Sequence, residues 1–163
     1  MASDPQEGGG SDGKRQSVLV GLVGKGIQLS RTPAMHEAAG RALGLNYVYQ
    51  LIDLDRRHVD VETVLDFAEC FGFSGLNVTF PFKQSIVAHL DELSRTAHRL
   101  GAVNTVVFRD GKRFGHNTDL WGFSRAFTEG IGDATGERVL LVGAGGAGVA
   151  VADALLTAGV GEL

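Results

Sequence analysis

The sequence predicts an α/β protein, and three observations carry that prediction. From Ser17 onward, short apolar runs rich in β-branched residues alternate with segments of helical periodicity. Glycine is in excess, with 24 among 163 residues, against a usual share of about 7%. Near the end of the sequence, an apolar run, a glycine-rich turn and an Ala-rich stretch follow one another directly.

Val18-Leu19-Val20-Gly21-Leu22-Val23 reads as a buried strand ending at Gly24. Thr32-Pro33 then opens a helix, with Thr32 as N-cap and Pro at the first helical position. Met35, Ala38, Ala39 and Ala42 continue it to Gly44. Tyr47 to Ile52 is a second strand ending at Asp53, and Val61, Val64, Leu65 and Ala68 mark an amphipathic helix. Gly75 to Thr79 predicts a third strand, stopped by Pro81. A helical stretch from Phe82 to Leu90 is expected next, then a short helix capped by Ser94. Ala102 to Phe108 and Phe114 to His116 flank Asp110-Gly111, a hairpin signal. Thr118 or Asp119 is expected to cap a helix running to Glu129 and closed by Gly130. After a short linker, Val139 to Val142 predicts a fresh strand, followed by the glycine turn and a helix to about Ala158. Phe67, Phe71 and Phe73 are expected to fill core.

Composition excludes several functions. The formal charge is −4 and no basic stripe is present, which argues against binding a nucleic-acid backbone. One cysteine, Cys70, excludes an intramolecular disulfide framework and a multi-cysteine metal site. Residues 1–16 are polar and glycine-rich without a targeting pattern and read as a disordered tail. No stretch approaches the ~18 consecutive apolar residues of a membrane span, so the expected location is cytoplasmic. His36, His58, His89, His98 and His116 show no metal spacing and receive no ligand role.

Gly143-x-Gly145-x-x-Gly148 follows an apolar run and opens a helix, the context in which this spacing binds a dinucleotide. Gly143 permits the tight turn, Gly145 lets backbone approach a pyrophosphate, and Gly148 lets helix pack closely on strand. Together with Ala144, Gly146 and Ala147, these residues form the expected cofactor loop. The acid or arginine that reads the ribose is expected about 20 residues further on. Only Val149 to Leu163 follows in this sequence, so the nucleotide site is expected to be incomplete here.

Four polar clusters lie at the ends of other elements: Ser30-Arg31-Thr32-Pro33, Asn77-Val78-Thr79-Phe80-Pro81-Phe82-Lys83, Gly101-Ala102-Val103-Asn104-Thr105 and Asn117-Thr118-Asp119. With the glycine loop they resemble, in order, the motifs of the shikimate dehydrogenase family, including its quinate-using members. The resemblance runs from about Val18 to Leu163. It implies that Ser30 and Thr32 hold a substrate carboxylate. It further implies that Thr79, Lys83, Asn104 and Asp119 surround the ring hydroxyls, with Lys83 and Asp119 as the catalytic pair. The implied cofactor is NAD or NADP, with no metal. The implied partner is a small cyclic hydroxy acid, with neither nucleic acid nor membrane, and a homodimer is an open option.

The residue chemistry is compatible with that implication. A polyhydroxy acid needs hydroxyl or cationic partners for its carboxylate and directional partners for each OH, which Ser, Thr, Asn, Lys and Asp supply. An ordinary lysine is protonated near neutrality, and a neighbouring acid favours the ammonium. Lys83 then acts as donor and stabiliser of a developing oxyanion, or as a base if burial offsets Asp119; the sequence leaves both open. Each residue also has a structural reading: Thr32 and Asp119 as helix caps, Thr79 at a strand end, Ser30 and Asn104 in turns, and Lys83 on a solvated helix.

Thr32, where strictly biosynthetic members commonly carry Ser, and Phe82 before Lys83 resemble the quinate-using branch. That branch tends towards NAD, which inclines the expectation from NADP to NAD. Three divisions are expected: a tail over 1–16, a substrate-binding α/β domain over 17–130, and the start of a Rossmann domain over 137–163. Two functions follow. One is a quinate/shikimate dehydrogenase represented in part, and the other a binding module without turnover.

Overall fold

The computed structural model describes residues 17–55 and 59–163. The expected tail over 1–16, and His58 among the residues denied a ligand role, lie outside the described residues. The strands are β1 (Ser17–Gly24), β2 (Asn46–Asp53), β3 (Gly75–Val78), β4 (Glu92–Leu93), β5 (Thr105–Arg109) and β6 (Lys112–His116). The helices are α1 (Thr32–Ala42), α2 (Val61–Cys70), α3 (Arg95–Leu100), α4 (Asp119–Gly130) and α5 (Gly146–Thr157). No described helix is long and apolar enough to cross a membrane.

The strands form one mixed sheet in the order β2-β1-β3-β5-β6-β4. β1, β2 and β3 are parallel, with Leu22 opposite both Leu51 and Asn77. β5 returns antiparallel to β3, pairing Thr105 with Asn77, and β6 runs antiparallel to β5, pairing His116 with Thr105. The carboxyl ends of β1, β3 and β6 and the amino end of β5 therefore meet at one edge. The chain leaves β1 for β2 on one side and reaches β3 on the other, the arrangement that opens a crevice beyond strand ends.

Crossovers in opposite directions place α1 and α2 on opposite faces of the sheet. The α2 stripe Val61, Val64, Leu65 and Ala68 joins Val23, Leu76, Val78 and Val106 in the larger core cluster. On the other face Leu22, Ile27 and Tyr49 form a smaller cluster. Phe73 packs against the larger cluster, as expected of it, but Phe67 and Phe71 are 54% and 68% exposed and stack on one another. Phe67 lies off the buried i, i+3, i+4, i+7 stripe, and Phe71 follows the end of α2.

Several other expectations are corrected. Thr32 does not cap α1; it is the first helical residue, and its N–H donates to Ser30 Oγ. Neither Thr118 nor Asp119 caps α4 through its side chain. That role falls to Asn117, whose Oδ1 accepts from the N–H groups of Asp119 and Leu120. The helix expected over Phe82–Leu90 is reduced to a 3-10 turn at Ser85–His89. The Lys83 carbonyl accepts from Val103 N–H at 2.7 Å, so it is already engaged where a helix would begin. Strand β4 gave no sequence signal; its two residues pair with β6. The hairpin stands as expected, with Asp110 and Gly111 at φ 54° and 69°, the pattern of a two-residue type I′ turn.

The strand expected at Val139–Val142 is not formed. Among the described residues its neighbourhood holds one isolated bridge, Arg138 to Glu162, and Leu140 and Val142 are 89% and 88% exposed. A strand is defined by its ladder, and a single bridge does not supply one. The helix after it, α5, is well packed. Ala150 sits among Leu100, Ala102 and Leu120, Leu155 packs near Phe123 and Phe127, and Arg99 pairs with Asp153 to tie α3 to α5.

Candidate active site

The edge of the sheet where strand ends converge carries the polar clusters. A turn after β3, closed by Phe82 N–H donating to Thr79 O at 2.9 Å, delivers Lys83. The Val103–Lys83 backbone bond holds that turn beside the segment preceding β5. From β6 the chain passes through Asn117, which is buried and donates to Ala102 O at 3.0 Å. Because Asn117 takes over the capping, the Asp119 carboxylate is left to turn outward.

There Lys83 Nζ donates to Asp119 Oδ2 at 2.7 Å, with side chains 16% and 31% exposed. Asn104 Nδ2 donates to Asp119 Oδ1 at 2.8 Å. One carboxylate oxygen thus meets a cation and the other an amide. A largely covered ammonium in contact with a carboxylate offers a donor for an oxygen gaining negative charge, with a proton acceptor beside it.

Ser30 and Thr32 form a separate pair, their hydroxyls 2.8 Å apart. Among the described residues no hydrogen bond joins them to Lys83, Asn104 or Asp119. Their loop is fastened by Asp53, whose carboxylate accepts from the N–H groups of Gly26, Ile27 and Asp55 and from Gln28 Nε2. These bonds, the Asp55 N–H foremost, hold the Asp53 carboxyl below the usual range.

Thr79 and Lys83 line a cleft of about 530 Å³ whose opposite wall is the glycine loop. Gly143, Gly145, Gly146, Ala147 and Gly148 all face it, whereas Ala144 does not. Gly143 has φ +107°, a backbone conformation that side chains rarely adopt. A Cβ on Gly148 would overlap the Gly143 carbonyl, and one on Gly146 would lie 3.1 Å from Lys83 Cβ. The loop is therefore compact, opens a helix, and lies against the aliphatic stem of Lys83. That is a fit for an anion at a helix N-terminus next to the polar pair.

Sequence reasoning passed over Tyr49 and Thr105 and gave Asn77 no role of its own. Tyr49 Oη donates to Asn77 Oδ1 at 2.7 Å, and Asn77 Nδ2 donates to Thr105 Oγ1 at 3.2 Å. Asn77 and Thr105 stand inside motifs that assigned them no role, Tyr49 has only its polar character on a strand, and their meeting depends on the strand order.

A family profile described as the shikimate dehydrogenase substrate binding domain matches residues 22–106, just over half of the chain. A shikimate dehydrogenase (NADP(+)) from Streptomyces avermitilis is 53% identical over 152 residues, covering 91% of this chain and 52% of that protein. A quinate/shikimate dehydrogenase (NAD(+)) from Corynebacterium efficiens is 54% identical over 151 residues, covering 90% and 53%. The structure of quinate dehydrogenase from Corynebacterium glutamicum in complex with NAD superposes with TM-score 0.83 at 51% identity, covering 90% of this chain and 53% of that one. The chain spans about half the length of the relatives it matches.

Proposed function

The chain belongs to the shikimate dehydrogenase family, and from that premise we propose that it carries the substrate side and first nucleotide-binding elements of an NAD(P)-dependent shikimate/quinate dehydrogenase. The observation that supports this reading most is the shared cleft: Lys83 stands between Asp119 and a glycine loop that opens a helix. On this reading residues 17–130 form the substrate-binding unit and 137–163 begin the Rossmann unit.

Ser30 and Thr32 hold the substrate carboxylate through paired hydroxyls on a loop that Asp53 fixes. Thr79, Asn104, Lys83 and Asp119 bind the ring hydroxyls. Lys83 donates to the hydroxyl oxygen undergoing oxidation or reduction and stabilises charge on it. In the oxidation direction Asp119 accepts the hydroxyl proton as the hydride leaves the carbon. Gly143, Gly145, Gly146, Ala147 and Gly148, with the N-terminus of α5, would hold the pyrophosphate. A nicotinamide bound on that side supplies or takes the hydride. Thr32 and Phe82 incline the reading towards quinate and NAD, and a methyl's difference at Thr32 shifts discrimination by about 1–3 kcal/mol.

The test is Lys83→Ala and Asp119→Asn in a chain extended through the complete nucleotide domain. Each is expected to lower kcat about 10²-fold or more, and the double variant to lose little beyond the worse single, as for groups acting together. Near-native rates in both single variants would remove the assigned pair.

A further inference from the structure

Beyond the Lys83–Asp119 pair, a file of side-chain hydrogen bonds continues through the sheet from β5 across β3 and β1 to β2. Tyr49 lies on β2 and Asn77 on β3, with β1 between them. Parallel register puts Leu51, Leu22 and Asn77 on one face, and Tyr49, two residues before Leu51, shares it. Tyr49 therefore reaches across β1 to Asn77. Asn77 is opposite Thr105 in the antiparallel pair, and Thr105 Oγ1 lies 3.0 Å from Asn104 Oδ1.

The polarity of this file follows from its ends. Thr118 N–H, which can only donate, meets Asn104 Oδ1 at 3.0 Å. Asn104 must therefore turn its Nδ2 to the Asp119 carboxylate. With Oδ1 so placed, the Thr105 hydroxyl donates to it, and the Thr105 oxygen accepts from Asn77 Nδ2. Asn77 Oδ1 is then left facing Tyr49, whose hydroxyl must donate. Tyr49 is buried, and burial, with Tyr47 nearby, pushes its phenol upward, so the donor keeps its proton at working pH.

We infer that Tyr49 and Thr105 are positioning residues: with Asn77 they hold the Asn104 amide in the orientation that places its donor on Asp119. The inference rests on the assignment of Lys83 and Asp119 proposed above. Without the Tyr49 hydroxyl, Asn77 Oδ1 has lost its donor, and the amide is held less firmly in the orientation that gives its Nδ2 to Thr105 Oγ1 and the Asn104 carbonyl.

The experiment uses a chain with the complete nucleotide domain, comparing Tyr49→Phe, Thr105→Val, Thr105→Ser and Asp119→Asn. Kinetics are measured alongside the Asn104 side-chain amide resonances in ¹⁵N-labelled protein. Tyr49→Phe is expected to lower kcat/KM about three- to tenfold, the size of one hydrogen bond, and to move the Asn104 resonances. Thr105→Val is expected to lose at least as much, and Thr105→Ser to recover most of it. The combination Tyr49→Phe with Thr105→Val should be no worse than Thr105→Val alone, because both cut one file. Rates within twofold for both Tyr49→Phe and Thr105→Val, with Asp119→Asn inactive, would overturn the inference and leave the catalytic pair standing. If Asp119→Asn kept its rate, the parent assignment would fail. The file would then be judged on the Asn104 resonances alone, and their indifference to Tyr49→Phe would overturn it.

Discussion

Asp53 shows how one side chain can prepare a site it does not enter. Four donors converge on its carboxylate, three of them backbone N–H groups, and they order the loop that leads to Ser30. Because these bonds favour the ionised form, its folded-state pKa is below the ordinary value of about 3.9. A depressed carboxyl contributes its stabilisation in full above that ordinary value and loses it as pH falls through the folded midpoint. The amide resonances of Gly26, Ile27 and Asp55 are therefore expected to titrate together, with a midpoint under about 3.9, and to stop doing so in Asp53→Asn. An NMR titration checks this; a midpoint at or above 3.9 would show that the loop is not held through the charge. Residues such as Lys83, Asp119 and Asn104 were legible in sequence because they sit in motifs. Asp53 was legible only as a strand end, since three of its four partners lie 25 to 27 residues away.

Among the elements, α5 and the loop before it depend on one close approach. The Gly143 carbonyl occupies the space a side chain at 148 would need. Gly148→Ala must displace backbone, not a flexible side-chain end, so a loss of about 1–3 kcal/mol is expected. It should appear as a lower denaturation midpoint, together with weaker NAD(P) binding in the extended chain. Unchanged stability would mean that the loop relaxes freely. The strands β1, β2, β3, β5 and β6 and most helices were legible from periodicity and turn residues such as Asp110-Gly111. What sequence misplaced was decided by competition for hydrogen bonds: Asn117 outbid Thr118 and Asp119 for the cap, and Val103 took the Lys83 carbonyl from a helix. Local propensity does not register partners brought in by the sheet.

At the scale of the whole molecule, the cleft has two walls of unequal support. The turn carrying Thr79 and Lys83 rests on a six-stranded sheet, whereas the glycine loop follows a segment whose Leu140 and Val142 face solvent. Apolar residues in that sequence are suited to a parallel sheet covered on both faces. In this 163-residue polypeptide the amides from Leu140 to Val142 have no ladder partners among the described residues, so they are expected to exchange with solvent almost freely. In a chain extended to the length of its relatives they should gain protection of at least 10²-fold as neighbouring strands pair with them. The same difference bears on chemistry. On the proposed reading, phosphate contacts from the loop do not by themselves position a ribose or a nicotinamide, and hydride transfer gains much of its rate from holding the reactants in register. The 163-residue chain is therefore expected to oxidise quinate or shikimate negligibly with NAD or NADP, and the extended chain to do so at an ordinary enzyme rate of about 1–10³ s⁻¹. Hydrogen exchange and steady-state assays on the two chains side by side check both statements. Ordinary turnover by the shorter chain would show that the substrate unit and the glycine loop suffice to hold the cofactor.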